Sequence, residues 1–125
     1  MNDADDRDAG AASLTIVLLA PVMVLLMFAG FQAAMWNHTR TEARVIARET
    51  AVLVARDRVP TSQAIAAASA SLASDSLLTG TSVSIDATAT VVIVSISGDA
   101  PGVLRGTSAP IRVTVALPLE GWVQL

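Results

Sequence analysis

The residues of this chain that could carry out chemistry are few and are spread along the sequence. His38 is the single histidine, and there is no cysteine. The acids that follow residue 60 are Asp75, Asp86, Asp99 and Glu120. They show no paired or ligand-like spacing, so we expect solvated surface charges rather than general acid–base catalysis. Because His38 follows Trp36 at the end of an apolar run, we interpret it as an interfacial residue. The sequence therefore predicts no enzyme, no cofactor and no metal site.

Other functional classes are excluded on similar grounds. All eight basic residues are arginine, so no Ser-x-x-Lys motif exists, and no glycine-rich phosphate loop is present. No basic patch is backed by aromatic residues, which argues against nucleic-acid binding. The triplet Asn37-His38-Thr39 matches the glycosylation sequon, but it lies so close to the expected membrane boundary that we do not expect modification.

An acidic leader precedes the apolar run. Residues 1–10 hold four aspartates against Arg7 and therefore account for the net charge of −3 of the chain. A cleavable secretory signal has a basic start and an apolar core of about 7–15 residues. The leader is acidic and the apolar core is too long, so we do not expect an ordinary secretory signal.

The most informative feature is the apolar run itself. Between Ala9 and Thr39 there is no charged residue, counting His38 as neutral, and Leu14–Trp36 is nearly all apolar. A run of about 20 or more apolar residues is typical of a membrane-spanning helix. We therefore predict a transmembrane helix over residues 11–39, with Pro21 as a site where it could kink.

The helical pattern continues beyond the apolar run. Residues 40–57 lack Gly and Pro, which predicts one helix from about Ala11 to Asp57. Arg40, Arg44 and Arg48 recur every four residues and form a stripe on one face. We interpret this stripe either as a side facing solvent or lipid headgroups, or as a docking face for an acidic partner. Apolar residues seven apart predict a seam that packs on the rest of the domain: Val45, Ile46, Val52 and Leu53.

The remainder of the chain predicts a small α+β domain over residues 40–125. Pro60 ends the long helix, Thr61 or Ser62 is expected to cap a second helix over Gln63–Ser74, and Gly80 is expected to close that section. Alternating residues then predict a small antiparallel sheet of about three strands, packed on the long helix. The strand segments are Val83–Ala87, Thr90–Ser97 and Ile111–Leu117, with a loop over Gly98–Pro110.

The stretch from Gly10 to Val22, GAASLTIVLLAPV, resembles the N-terminus of the TadE-like family. These are minor pseudopilins of the tight-adherence (Tad/Flp) branch of bacterial type IV pilus systems. In that family a short charged leader ends in Gly, a Glu follows five places later, and a Pro follows eleven places after the Gly. Gly10 and Pro21 keep this register, whereas Thr15 stands in place of the Glu.

The resemblance implies a prepilin that takes part in assembling a Tad/Flp-type pilus or secretion filament. A prepilin peptidase would cut between Gly10 and Ala11, leaving the helix in the plasma (inner) membrane and the α+β domain outside the cytoplasm. The implied partners are other pilin-like subunits, Tad assembly proteins and the lipid bilayer. In pilin-like proteins the buried Glu pairs with a neighbouring subunit's amino terminus, and Thr15 cannot form that ion pair.

The arginine distribution supports a second hypothesis. Arg7 precedes the apolar run, whereas Arg40, Arg44 and Arg48 follow it closely, and the positive-inside rule then places the C-terminal domain in the cytoplasm. This pattern fits an uncleaved single-pass accessory or scaffold protein that binds a membrane partner through its small domain. We expect the pilin-like orientation, because the leader, Gly10 and Pro21 match the family in register.

Overall fold

A computed structural model describes residues 3–119, which form two helices followed by three strands. The helices are α1 (Asp3–Ala55) and α2 (Thr61–Asp75), and the strands are β1 (Thr79–Ala87), β2 (Val91–Ala100) and β3 (Ala109–Pro118). The predicted α+β class, with a long N-terminal helix, a short second helix and a three-stranded antiparallel sheet, is confirmed.

Helix α1 is longer than the sequence predicts at its N-terminal end. It begins at Asp3 instead of Ala11 and ends at Ala55 instead of Asp57. Aspartates are favourable in the first turn of a helix because they complement the partial positive charge there, so the acidic leader can join it. Pro21 lies inside α1, which continues through it. Contacts divide the chain into two compact units between Ala33 and Ala34.

The sheet has the order β1-β2-β3, with both neighbouring pairs antiparallel. In register, Ile96 lies between Val83 of β1 and Val113 of β3, which puts apolar side chains of all three strands on one face. The alternation predicted for β3 is confirmed, since Ile111 and Val113 are buried while Arg112 is exposed. The opposite face carries hydroxyls, of which those of Ser95 and Thr114 lie 3.4 Å apart.

The core of the second unit lies between this apolar sheet face, α2 and a face of α1 made of small residues. Ala43, Ala47 and Ala51 of α1 have no exposed surface. Thr39 and Thr50 are buried on the same helix, and their hydroxyls donate to the carbonyls four residues earlier at 2.9 and 2.7 Å. Small side chains allow a helix to approach its neighbours closely, and the threonine hydroxyls are satisfied without a partner from the sheet.

The predicted apolar seam is wrong in part. Ile46 is buried, but Val45 is 51% exposed, and Val52 and Leu53 are only half-buried. With about 3.6 residues per turn, the buried positions follow the alanines at 43, 47 and 51. Val45 therefore lies on the opposite side of the helix, so α1 joins the core through its alanine face and not through the valine seam.

Several boundaries also differ from the sequence-based expectations. Helix α2 starts at Thr61 with Pro60 in the capping position and no side-chain cap, so neither Thr61 nor Ser62 caps it. Gly80 does not close the helical section but lies in β1, at a register shift and with φ of 58°, a conformation that favours glycine. Strand pairing reaches Ala100 and restarts at Ala109, which shortens the predicted loop.

We expect Ala47→Leu to lower the free energy of unfolding by about 1–3 kcal/mol, because three added carbons must fit into a closely packed core. Ala67→Leu is the matched control, since Ala67 is exposed on α2. Chemical unfolding of the detergent-solubilised protein measures both. Equal stability of the two variants would contradict the close approach of α1 to the core.

Candidate functional site

The proposed processing position lies on an open surface of α1. Gly10 and its neighbours Ala9 and Ala11 are exposed, and a Cβ atom added at Gly10 would meet nothing within 4 Å. A glycine in a helix interior costs about 1 kcal/mol relative to alanine, so the helix is locally weakened here. A larger side chain can therefore be introduced at this position without a steric conflict inside the chain.

Thr15 is satisfied within its own helix. Its Oγ1 donates a hydrogen bond of 2.8 Å to the carbonyl oxygen of Ala11. An unpaired hydroxyl is costly in an apolar environment, and this local bond removes the cost without a second subunit. Pro21 has the opposite effect, because it lacks an N–H and leaves the carbonyl of Val17 without its helical donor. Thr15 thus adds a polar group that is already hydrogen-bonded, whereas Pro21 leaves a backbone carbonyl of the apolar helix without its helical donor.

The apolar run presents its side chains outwards. The large apolar residues that are about half or more exposed in this run are Leu14, Ile16, Val17, Leu18, Leu19, Val22, Met23, Val24, Leu25, Leu26, Met27, Phe28 and Phe31. A helix that is apolar on every side belongs in lipid or against other apolar helices. The helix is long and apolar enough to cross a membrane, and it fits a single-pass membrane protein.

The arginine stripe lies on the exposed surface of the C-terminal half of α1. Arg40, Arg44 and Arg48 are all exposed, as the sequence predicts for either interpretation of this stripe. Within residues 3–119 none of them forms an ion pair. Like charges four residues apart on a helix repel each other by about 0.2–0.5 kcal/mol per pair. The exposed stripe therefore has no ion-pair partner within the described residues.

A close side-chain contact that the sequence analysis missed lies beside the stripe. Nε2 of His38 is 3.0 Å from Oε1 of Glu42, and the two side chains are 70% and 27% exposed. The other carboxylate oxygen, Oε2 of Glu42, and Nε1 of Trp36 are buried and have no hydrogen-bond partner within residues 3–119. The spacing of four residues between His38 and Glu42 is the signal that could have found the pair. Trp36 itself packs against the core, so the end of the apolar run takes part in the fold.

The predicted site residues form two separate groups. Gly10, Thr15 and Pro21 belong to the first unit, and the arginine stripe belongs to the second. Asp75, Asp86 and Asp99 are exposed, and Glu120 lies outside the described residues. Among the described residues no three His, Cys, Asp or Glu side chains are placed to share a metal ion.

A comparison with known families finds a match for the N-terminal part of the chain. The family model described as TadE-like protein matches residues 10–52. This segment is TadE-like. The resemblance based on Gly10 and Pro21 is therefore confirmed for this segment. The match covers the proposed processing position, Thr15 and the arginine stripe, and it ends within α1, before α2 and the sheet.

Two further comparisons gave no match. No curated protein and no solved structure is significantly similar to this chain.

We expect the triple variant Arg40→Gln, Arg44→Gln, Arg48→Gln to be as stable as the original chain, or up to about 1 kcal/mol more stable, because two like-charge pairs are removed. Chemical unfolding measures this, with Arg112→Gln as an exposed control on the sheet. A loss of more than about 1 kcal/mol would mean that the arginines hold the fold together.

Proposed function

We propose that this chain is a minor pseudopilin-like protein that takes part in assembling a Tad/Flp-type pilus or secretion filament. The observation that carries the proposal is the TadE-like match over residues 10–52. It coincides with a helix whose apolar side chains are exposed on all sides. Such a helix can be stored in the lipid bilayer and later pack against the helices of other pilin-like subunits.

In this proposal, residues 1–10 form a cytoplasmic leader that a prepilin peptidase removes between Gly10 and Ala11. The apolar helix crosses the plasma (inner) membrane, and α2 and the sheet lie outside the cytoplasm. The exposed site at Gly10 supports access by a peptidase, because no side chain of the described residues lies within 4 Å of a Cβ built there. The glycine also lowers the cost of unwinding the helix for cleavage.

The replacement of the family Glu by Thr15 shapes the proposed role. Thr15 bonds to the carbonyl oxygen of Ala11, the residue that cleavage would make the new amino terminus. A hydroxyl carries no charge to pair with a neighbouring subunit's amino group, so this chain would enter a filament without that attraction. This favours a role in priming or capping the assembly over that of a repeating subunit.

The proposed role is structural and not catalytic, and it needs no cofactor. Its support is the sequence pattern, in which the single histidine is bound to Glu42 and the remaining acids are scattered. The surfaces that the chain offers are instead apolar along the helix and cationic at the arginine stripe.

The proposal is tested by the intact mass and N-terminal sequence of the protein purified from its native membrane. We expect a chain that begins at Ala11, and we expect Gly10→Arg to abolish the shorter form, because a peptidase that reads glycine cannot accept the larger side chain. Ala9→Arg is the control for the added charge and should still be processed. A Gly10→Arg protein of mature size, or a native protein that retains Met1, would refute leader processing.

A specific observation supports the second candidate, an uncleaved single-pass accessory or scaffold protein. Helix α1 runs from Asp3 through Gly10 without a break, and the arginines after the apolar run favour a cytoplasmic domain.

The two orientations are separated by labelling a single cysteine, since the chain contains none. Leu104 is 64% exposed in the loop between β2 and β3, so Leu104→Cys should not disturb the core. We expect a membrane-impermeant maleimide to label it in intact spheroplasts. Labelling only after the membrane is opened would establish the cytoplasmic orientation and the second candidate.

A further inference from the structure

The sheet has two edges at which a further strand could be added. In the order β1-β2-β3, β1 and β3 each pair with β2 alone among the described residues. The outer side of an edge strand carries a row of free N–H and C=O groups, which can bond to another strand. Because proteins block the edges that must stay unpaired, an edge without such a block is a candidate binding surface.

The turn between β1 and β2 determines which backbone groups of β1 point outwards. The N–H of Thr88 donates to the carbonyl oxygen of Val91 at 2.9 Å, so these two residues form a hydrogen-bonded pair. In an antiparallel ladder such pairs alternate with pairs whose N–H and C=O groups point away from each other. Every second residue of β1 therefore bonds to β2. The residues whose backbone groups point to the outer edge are Val83, Ile85 and Ala87.

The outer edge of β3 is blocked by prolines. The N–H of Leu119 donates to the carbonyl oxygen of Thr90 at 2.8 Å, which fixes the same alternation for β3. Its outward positions include Pro110 and Pro118, one at each end of the strand. Proline has no N–H to donate, and on an edge strand it hinders further pairing. Arg112, at another outward position, adds a charge to this edge.

The outer edge of β1 has no proline, and it leaves apolar surface uncovered. On the core face of β1, Val83 and Ile85 are only partly buried, whereas Val94 and Ile96, which pair with them on β2, have no exposed surface. Helix α2 contacts β1, but no hydrogen bond joins these two elements within residues 3–119. A further strand would therefore bond to the outward groups and complete the burial of both side chains.

The single span argues against a second copy of this chain as the added strand. Two antiparallel β1 strands in one sheet are related by a two-fold axis perpendicular to the sheet, which reverses every direction in the sheet plane. From Ala43 to Ala51, over about two turns, α1 shares one core with the sheet, so α1 runs along the sheet. The two copies would then cross the membrane in opposite directions. A second copy's β3 would offer only its blocked edge.

We propose that the outer edge of β1 binds an extended segment of a different protein as an antiparallel fourth strand. Such a segment carries apolar side chains on the face that meets Val83 and Ile85, and a lysine or arginine near Asp86 on the other face. Asp86 is exposed and has no ion-pair partner within residues 3–119. Backbone hydrogen bonds supply the affinity, and the alternation and the charge select the partner. The proposal goes beyond the assembly role and does not depend on leader cleavage.

Peptide binding to the full chain in nanodiscs tests this edge. The probe is a fluorescent, strand-length peptide in which valine alternates with threonine and one central threonine is replaced by lysine. In an antiparallel pair with valines on the core face, the valine N–H groups donate to β1 and the threonine N–H groups point away. By fluorescence anisotropy, we expect N-methylation of the valines to weaken binding at least about tenfold, and N-methylation of the threonines to change it less than about threefold.

Proline variants test the same contact from the side of the protein. Ala87→Pro removes an outward N–H of β1, and Ala116→Pro, the matched control, removes an outward N–H of β3. Both alanines are exposed and neither N–H bonds to β2, so both variants should keep the sheet. We expect Ala87→Pro to weaken peptide binding about tenfold and Ala116→Pro to leave it unchanged. Asp86→Lys should reverse the preference, so that a glutamate peptide binds better than the lysine peptide.

Four outcomes would overturn the proposal. The first is no binding of the lysine peptide at up to about 1 mM, and the second is an equal effect of the two methylation patterns. The third is an equal loss of binding in Ala87→Pro and Ala116→Pro. The fourth is a dimer of the unaltered chain, seen by light scattering and lost in Ala87→Pro, which would assign the edge to a second copy. None of these outcomes alters the mass or the cysteine labelling that test leader processing and orientation.

Discussion

The fold depends on the close packing of the alanine face of α1 against the rest of the second unit. Because Ala43, Ala47 and Ala51 add little volume, α1 can bring its backbone close to the residues that cover it. A three-stranded sheet is marginal on its own, and a helix that covers its apolar face stabilises it. The hydroxyls of the buried Thr39 and Thr50 donate hydrogen bonds to backbone carbonyls of α1, so they need no hydrogen-bond partner in the sheet. The core is thus apolar, with small side chains contributed by α1 and β-branched side chains contributed by the sheet.

This packing also determines which side chains of α1 remain exposed. When the alanines face inwards, the helical period puts Val45 and Glu49 on the outer side of α1, where both are exposed. The N-terminal part of α1 has no covering domain within the described residues, and its apolar side chains are exposed throughout. One helix therefore carries two kinds of surface along its length. The first part suits lipid or apolar helices, and the second has one side buried in the core and the other side exposed.

Much of the architecture could be predicted from local patterns. The apolar run, the alternation in β3 and the break between the two helices at Pro60 depend on neighbouring residues, so they can be recognised without knowledge of the fold. The family resemblance depended on the spacing of Gly10 and Pro21, and the match over residues 10–52 confirmed it. The N-cap of α2 was predicted wrongly, because Pro60 occupies the capping position and no side chain caps the helix. The position of Gly80 was predicted wrongly, because it depends on the pairing of β1 with the distant strand β2.

The sequence by itself determined that α1 is a helix, that its first part is apolar on every side, and that Arg40, Arg44 and Arg48 share a face. These properties follow from residue type and a fixed helical period. Only the tertiary structure decided which side of α1 meets the core, because the alanine and valine sides are both apolar and the helical period alone does not choose between them. That choice left Val45 and Glu49 outside, and it gives the helix its second face.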